Sequence, residues 1–231
     1  AKIIKNAKRS STISEMRRYS TDTNAFYNRF EQYPGDFILA DSFLTDPNNT
    51  INNGNSDSLI GNEDYTEDES AGFFHHLRLA NIAPNTSFNG VAVLDATTVV
   101  LGENYPSTKF SNDTFYYAAS SAVDGRFERS NRVVIASTDS AGINAMSPVD
   151  AQTFDNKIDD GNPFKGEIVA YNANLSDGTS ESDSTCTNMY GYLTSSSDIG
   201  CMLERSLESG EKIQIDSALA ASKPWFGDLG V

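Results

Sequence analysis

The first 36 residues constrain this chain more than any other stretch. Ile13, Met16, Ser20, Thr23, Tyr27 and Phe30 recur at spacings that alternate between three and four. At about 100° per residue they fall in one narrow stripe, the mark of an amphipathic helix. Phe26 flanks the stripe, Arg17, Asn24 and Asn28 lie off it, and Arg18 and Arg29 lie further round. Pro34 forces its predecessor out of the α region, so the helix ends by Tyr33, and Gly35 permits a sharp change of direction. The spacing therefore predicts one long helix over 1–33 with a single packing face: Ile13, Met16, Thr23, Phe26, Tyr27 and Phe30. Ile3, Ile4 and Ala7 are off that face and are left for contacts outside the chain's own core. Ala1 and Lys2 are poor N-caps, so the helix is expected to continue upstream of the sequence given.

The remaining sequence changes character. Residues 37–70 are rich in Asn, Asp, Ser and Gly and read as a long surface excursion. Phe73, Phe74, Leu77, Leu79 and Ala80 predict a packed helix over 71–82, ended by Pro84. Val91–Leu94 and Thr97–Leu101 carry β-branched strand signals, Phe115–Ala118 a weaker one, and Arg132–Thr138 the cleanest. Ser147 is a good N-cap, with Pro148 at the first helical position and Asp150 favouring the helix dipole; Gly161 is placed to end that helix. Glu167–Tyr171 is a further strand, 176–184 a Ser/Asp-rich loop, and Arg205, Leu207 and 213–221 are expected to be partly helical. A long helix on a small antiparallel sheet, with loop-rich insertions, is an α+β architecture. No linker divides the chain, which is read as one domain over 1–231, the head being 34–231.

Charge narrows the function. The net charge is −15, yet the first thirty residues carry seven bases (Lys2, Lys5, Lys8, Arg9, Arg17, Arg18, Arg29) against two acids, a local +5 that leaves −20 on the rest. A head that acidic lacks the basic footprint nucleic acid needs. Hydrophobic content of 38% is that of a globular chain, and no run of 18 apolar residues occurs in it. Asn48, Asn85, Asn112 and Asn174 match the glycosylation triplet, as an Asn- and Ser-rich sequence does by chance.

Catalytic chemistry has little to stand on. The only histidines, His75 and His76, are adjacent, so on a helix they point about 100° apart and cannot share a metal or substrate; a structural or surface role is expected. No nucleophile elbow, zinc spacing, P-loop or dinucleotide fingerprint occurs. Asp155, Asp159 and Asp160, followed by Gly161, offer clustered hard oxygen ligands suited to calcium, though not at EF-hand spacing. The plainer reading has Asp159 and Asp160 bonding backbone amides in the turn after the helix. The acidic stretch Asp57–Glu69 is a second place for such a cation. Cys186 and Cys201, with fourteen residues between them, are either a disulfide or two buried thiols.

Three segments in order resemble the type IV pilin-like superfamily, which includes the pseudopilins of type II secretion. Residues 3–37 (IIKNAKRSSTISEMRRYSTDTNAFYNRFEQYPGDF) look like the exposed half of its N-terminal helix. FFHHLRLANI (Phe73–Ile82) resembles a short aromatic-leucine helix of a larger subgroup, and SPVDAQTFDNKIDDGNPFKGEIVAYN (Ser147–Asn172) its D-x-K-x-D-D-G-x-P signature. The resemblance implies a pilin-like fold and a structural subunit, a minor pilin or pseudopilin, with no reaction of its own and no required cofactor. Its partners would be other pilin-like subunits, and roughly 20–25 apolar residues upstream would hold it in a bacterial inner membrane. The head would then sit in the periplasm or on a cell-surface filament, where an oxidising milieu implies that Cys186 and Cys201 are joined. The competing expectations are a free extracytoplasmic module that binds calcium or another ligand and, last, a hydrolytic enzyme.

Overall fold

The computed structural model describes residues 2–47, 50–61, 68–83, 99–121, 130–138, 144–171, 185–188 and 191–207. The strand expected at 91–94, the start of the one at 97–101, the loop at 176–184, the helical segment at 213–221 and three of the four Asn triplets lie outside these residues. The described part of 97–101 forms no strand, only an isolated bridge from Leu101 to Tyr105.

Helix α1 runs Lys2–Phe30. It stops three residues short of Tyr33 because Glu31 takes a positive φ of 57° and donates its N–H to the Tyr27 carbonyl. Thr12, Ile13, Met16, Tyr19, Ser20, Asp22, Thr23 and Phe26 are buried along it. The packing face is thus rotated from the expected stripe. Tyr19 replaces Tyr27 at its centre, its ring meeting Phe74 and Tyr116 edge-on, each at 5.1 Å. Tyr27 turns outward, 43% exposed, against Tyr33. Tyrosine satisfies either position in a periodicity count, and the rings on the facing elements decide between them.

A single turn, α2 (Ala40–Phe43), follows, and α3 spans Asp68–Leu79. Asn81, at φ 57°, ends α3; its N–H bonds the Arg78 carbonyl and that of Ile82 the Leu77 carbonyl, a Schellman closure. The expected packed face is present, with Phe73, Phe74 and Leu77 all buried.

Strands β1 (Thr114–Ser121) and β2 (Ser130–Ser137) pair antiparallel in full register. Helix α4 (Pro148–Ile158) and strand β3 (Ile168–Tyr171) come next, then a two-stranded ribbon of β4 (Thr187–Asn188) and β5 (Gly191–Tyr192), and finally β6 (Met202–Ser206). The main sheet has the antiparallel order β1-β2-β6-β3. Helix on small antiparallel sheet makes the architecture α+β. The helical expectation at Arg205 and Leu207 is overturned, since Arg205 is inside β6 and Leu207 follows it, buried. The sequence MLERS hides a strand because its charges have partners on each face. Glu204 meets Arg132 of β2 at 2.6 Å, both fully buried. On the opposite face Arg205 donates to the Met16 carbonyl and the Ser20 hydroxyl of α1 and pairs with Glu167. Tyr116 reaches α1 from the same face, donating to Glu15 at 2.9 Å. The helix is therefore joined to the sheet by polar contacts as well as rings.

Cys186 and Cys201 form a disulfide that ties the ribbon to the start of β6, both sulfur-bearing residues fully buried. Closing a loop of that length is worth about 3 kcal/mol in the chain-entropy model.

Candidate functional site

The sequence directs attention to the first turns of α1, the carboxylates after α4 and the histidine pair. On α1, residues 2–8 are exposed, and burial begins only at Thr12. Ile3 is 85% and Ile4 64% exposed. One anchor holds this end. Asp150, in the first turn of α4, takes Lys5 at 2.9 Å and Arg9 as a second partner. Burial pushes the Asp150 carboxyl up, but Arg9 and Lys5 outweigh it and hold the group below its ordinary value. Asp150 is placed there by the Ser147 cap and Pro148, as the local sequence expects. Between α1, the start of α4 and the 194–199 segment lies a groove of about 520 Å³, edged by Lys5, Phe110, Ser147, Val149 and Ile199.

The carboxylates at the other end of α4 do converge. Asp155, Asp159 and Asp160 each offer an oxygen within 4.8 Å of the others. Each carboxylate also serves the turn. Asp155 accepts from the Gly161 N–H and the Tyr192 hydroxyl, at 3.1 and 2.8 Å. Asp159 accepts from the Glu167 N–H, and Asp160 from the Asn162 N–H, with Lys165 at 3.3 Å. Gly161, at φ +78°, makes this return possible, although α4 itself ends at Ile158, capped by Asp159. Burial pushes the Asp155 carboxyl up to about 6, against the two donors that favour its charge.

A second trio, Asp36, Asp57 and Glu69, has the same spacing. Asp36 is buried and accepts from the Asp57 and Ser58 N–H groups; Glu69 accepts from those of Asn55 and Gly61. Gly54 lies so close to the Asp36 backbone that a Cβ there would come within 2.2 Å of it. The excursion expected over 37–70 is thus folded back across its described part, pinned by two acids and by Asn131, which accepts from the buried Ile60. Asp57 and Glu69 bound the acidic stretch that the sequence points to, whereas the only sequence signal of Asp36 is its place directly after the Pro-Gly break. Both trios have the geometry calcium accepts, and both have a full structural use without it.

The histidines point to different partners. His76 accepts from the Gly35 N–H at Nδ1 and donates from Nε2 to the Asn52 carbonyl, at 2.9 and 2.8 Å. A carbonyl cannot donate, so the ring is the neutral Nε2–H tautomer, and burial pushes its pKa down to about 4. Its ring stacks on Phe26 of α1. His76 therefore locks the turn after α1 to the loop at Asn52. His75 is also buried, its Nε2 3.8 Å from Asp46, too far for a hydrogen bond. Burial pushes it to about 4 as well, against the opposing charge of Asp46.

Comparison of the chain with family models, curated proteins and solved structures returns no match. Among the described residues no helix is long and apolar enough to cross a membrane.

Proposed function

We propose that this chain is a structural subunit, a minor pilin or pseudopilin, of a type IV pilus or type II secretion-like filament, working by assembly. The observation that carries the reading is the division of α1. Residues 12–26 are bound to sheet and α3 by rings and polar contacts, whereas the first turns are tied down through Lys5 and Arg9 on Asp150 and leave Ile3 and Ile4 exposed. A lone domain gains nothing from ten ordered residues that bury almost no apolar surface; a subunit gains an assembly face. The long N-terminal helix on an antiparallel sheet and the three sequence segments support a pilin-like fold. In this reading an apolar stretch ahead of Lys2 anchors the subunit in the inner membrane, and the head faces the periplasm or the filament surface. Its partners are other pilin-like subunits.

The two carboxylate trios favour a second reading, an extracytoplasmic module that binds calcium. The reading frame upstream of Ala1 separates the two. Assembly requires a prepilin-type leader and an apolar segment of about 20 residues in line with α1. An ordinary cleaved secretory signal ending at Ala1 would remove the filament reading.

A further inference from the structure

A second exposed apolar patch lies at the other end of α1. Ile38, Leu39 and Phe43 are 44%, 48% and 63% exposed. They form one surface, because Leu39 and Phe43 are joined by a one-turn hydrogen bond and Ile38 precedes them. The same turn buries Ala40 and Leu44 inward, so the outer three are not spare core. Asp41, on the turn, is exposed, and so is Glu31, next to Gln32, whose side-chain oxygen accepts the Ile38 N–H. At the start of α1 the pattern is reversed in charge. Ile3 and Ile4 are flanked by the exposed cations Lys2 and Lys8, neither of which is engaged in an ion pair among the described residues, while Lys5 is held by Asp150. Helix α1 puts about 40 Å between Ile3 and Phe30, whose ring meets Phe37 just ahead of the second patch, so the two patches lie at opposite ends of the helix.

We propose that the Ile38–Leu39–Phe43 turn of one molecule docks on the Ile3–Ile4 face of a second copy of this chain. This inference rests on the assembly reading and names its contact. Charge selects the occupant. The first thirty residues are +5 and the rest of the chain −20, so heads repel heads, and two copies attract when the helix of one meets the head of the next. An anionic lipid surface is disfavoured at the patch by Asp41 and Glu31. The contact joins unlike surfaces, so it is heterologous and propagates into an open array unless the rotation closes it. Its few side chains place it among weak contacts that need a filament's multiplicity.

Site-directed cross-linking tests it. Ile4→Cys and Phe43→Cys variants of the 231-residue chain are made singly and together; both positions are exposed, whereas Cys186 and Cys201 are buried in their disulfide. Under mild oxidation the mixed single variants should give a hetero-linked dimer at least tenfold faster than Phe43→Cys mixed with Thr21→Cys, an exposed position midway along α1. The double variant should give a ladder, and 0.5 M salt should slow the linkage. Phe43→Asp, with an unchanged circular dichroism spectrum, should abolish any concentration-dependent association. Rapid homodimerisation of Phe43→Cys alone would mean a symmetric patch-to-patch contact and overturn the proposal, as would yields equal to the Thr21 control. If the native product is recovered in filaments yet this linkage fails, the contact is wrong and the assembly reading stands; if the linkage forms but no native filament holds the protein, the assembly reading fails instead.

Discussion

Replacing His76 by Asn should give a stability cost that depends on pH and changes sign. The Asn oxygen can still accept the Gly35 N–H, but the short side chain loses the Asn52 carbonyl and the stack on Phe26. One lost buried hydrogen bond and the lost ring volume should cost about 2 kcal/mol at pH 7. The wild-type histidine carries a liability that asparagine does not. Its pKa is about 4 when folded, down from 6.5, because burial disfavours the cation. A base with a lowered folded pKa binds fewer protons folded than unfolded, so its contribution is complete above 6.5 and is lost as pH falls toward 4. Linkage makes that loss about 2 kcal/mol at pH 5 and about 3 kcal/mol at pH 4. The wild-type and variant stability curves should therefore cross near pH 5, with the variant the more stable below it. Urea unfolding followed by far-ultraviolet circular dichroism at pH 7, 6, 5 and 4 reads the difference directly. A gap that stays constant across those pH values would refute the neutral buried ring and the tautomer assigned to it.

Asp155 should behave in the opposite sense: its folded pKa is raised to about 6, so its contribution is lost as pH rises through 6, and Asp155→Asn should stabilise the calcium-free protein by up to about 3 kcal/mol at pH 7 and by almost nothing at pH 4, measured by the same unfolding titrations. Loss at pH 7 without calcium would contradict this, and a calcium-induced rise in Tm that Asp155→Asn abolishes would favour the second functional reading. Arg132→Met should cost about 3–5 kcal/mol by stranding Glu204, whereas Arg132→Met with Glu204→Leu should fall within about 1 kcal/mol of wild type in a double-mutant cycle. Tyr19→Ala should cost about 3–5 kcal/mol and Tyr27→Ala no more than about 1 kcal/mol; comparable costs would mean that the packing face of α1 is the one periodicity alone suggests. Reduction of Cys186–Cys201 should lower stability by about 3 kcal/mol, and thiol titration of the unreduced, unfolded chain should find no free thiol.

The parts of this fold that were legible are those whose own side chains carry the pattern. The helix over the first thirty residues shows in its three-four spacing, β2 in the run Val133–Ala136, buried on both faces, and α4 in its Ser-Pro-x-Asp start. What escaped depends on partners distant in sequence. Strand β6 reads as polar because Glu204 finds its counter-charge on β2, while Arg205 finds Glu167 beside β3 and neutral oxygen acceptors on α1. The choice of Tyr19 over Tyr27 is made by Phe74 and Tyr116, which lie far along the chain. The trio of Asp36, Asp57 and Glu69 spans two loops and a helix, and no local motif joins them. The carboxylates after α4 were visible because they are neighbours in sequence, and their turn-binding use follows from the same closeness.

The central claim is that α1 presents an assembly face and that the protein works inside a filament. Immunogold labelling of native cells, together with immunoblotting of the sheared surface fraction and the membrane fraction, tests it most directly when wild type is set beside an Ile4→Asp variant. The account predicts wild-type protein in the membrane and along filaments, with the Ile4→Asp variant made at equal level but missing from the filaments. Wild-type protein found only as a free, unanchored species, or filaments that incorporate Ile4→Asp as readily as wild type, would contradict it.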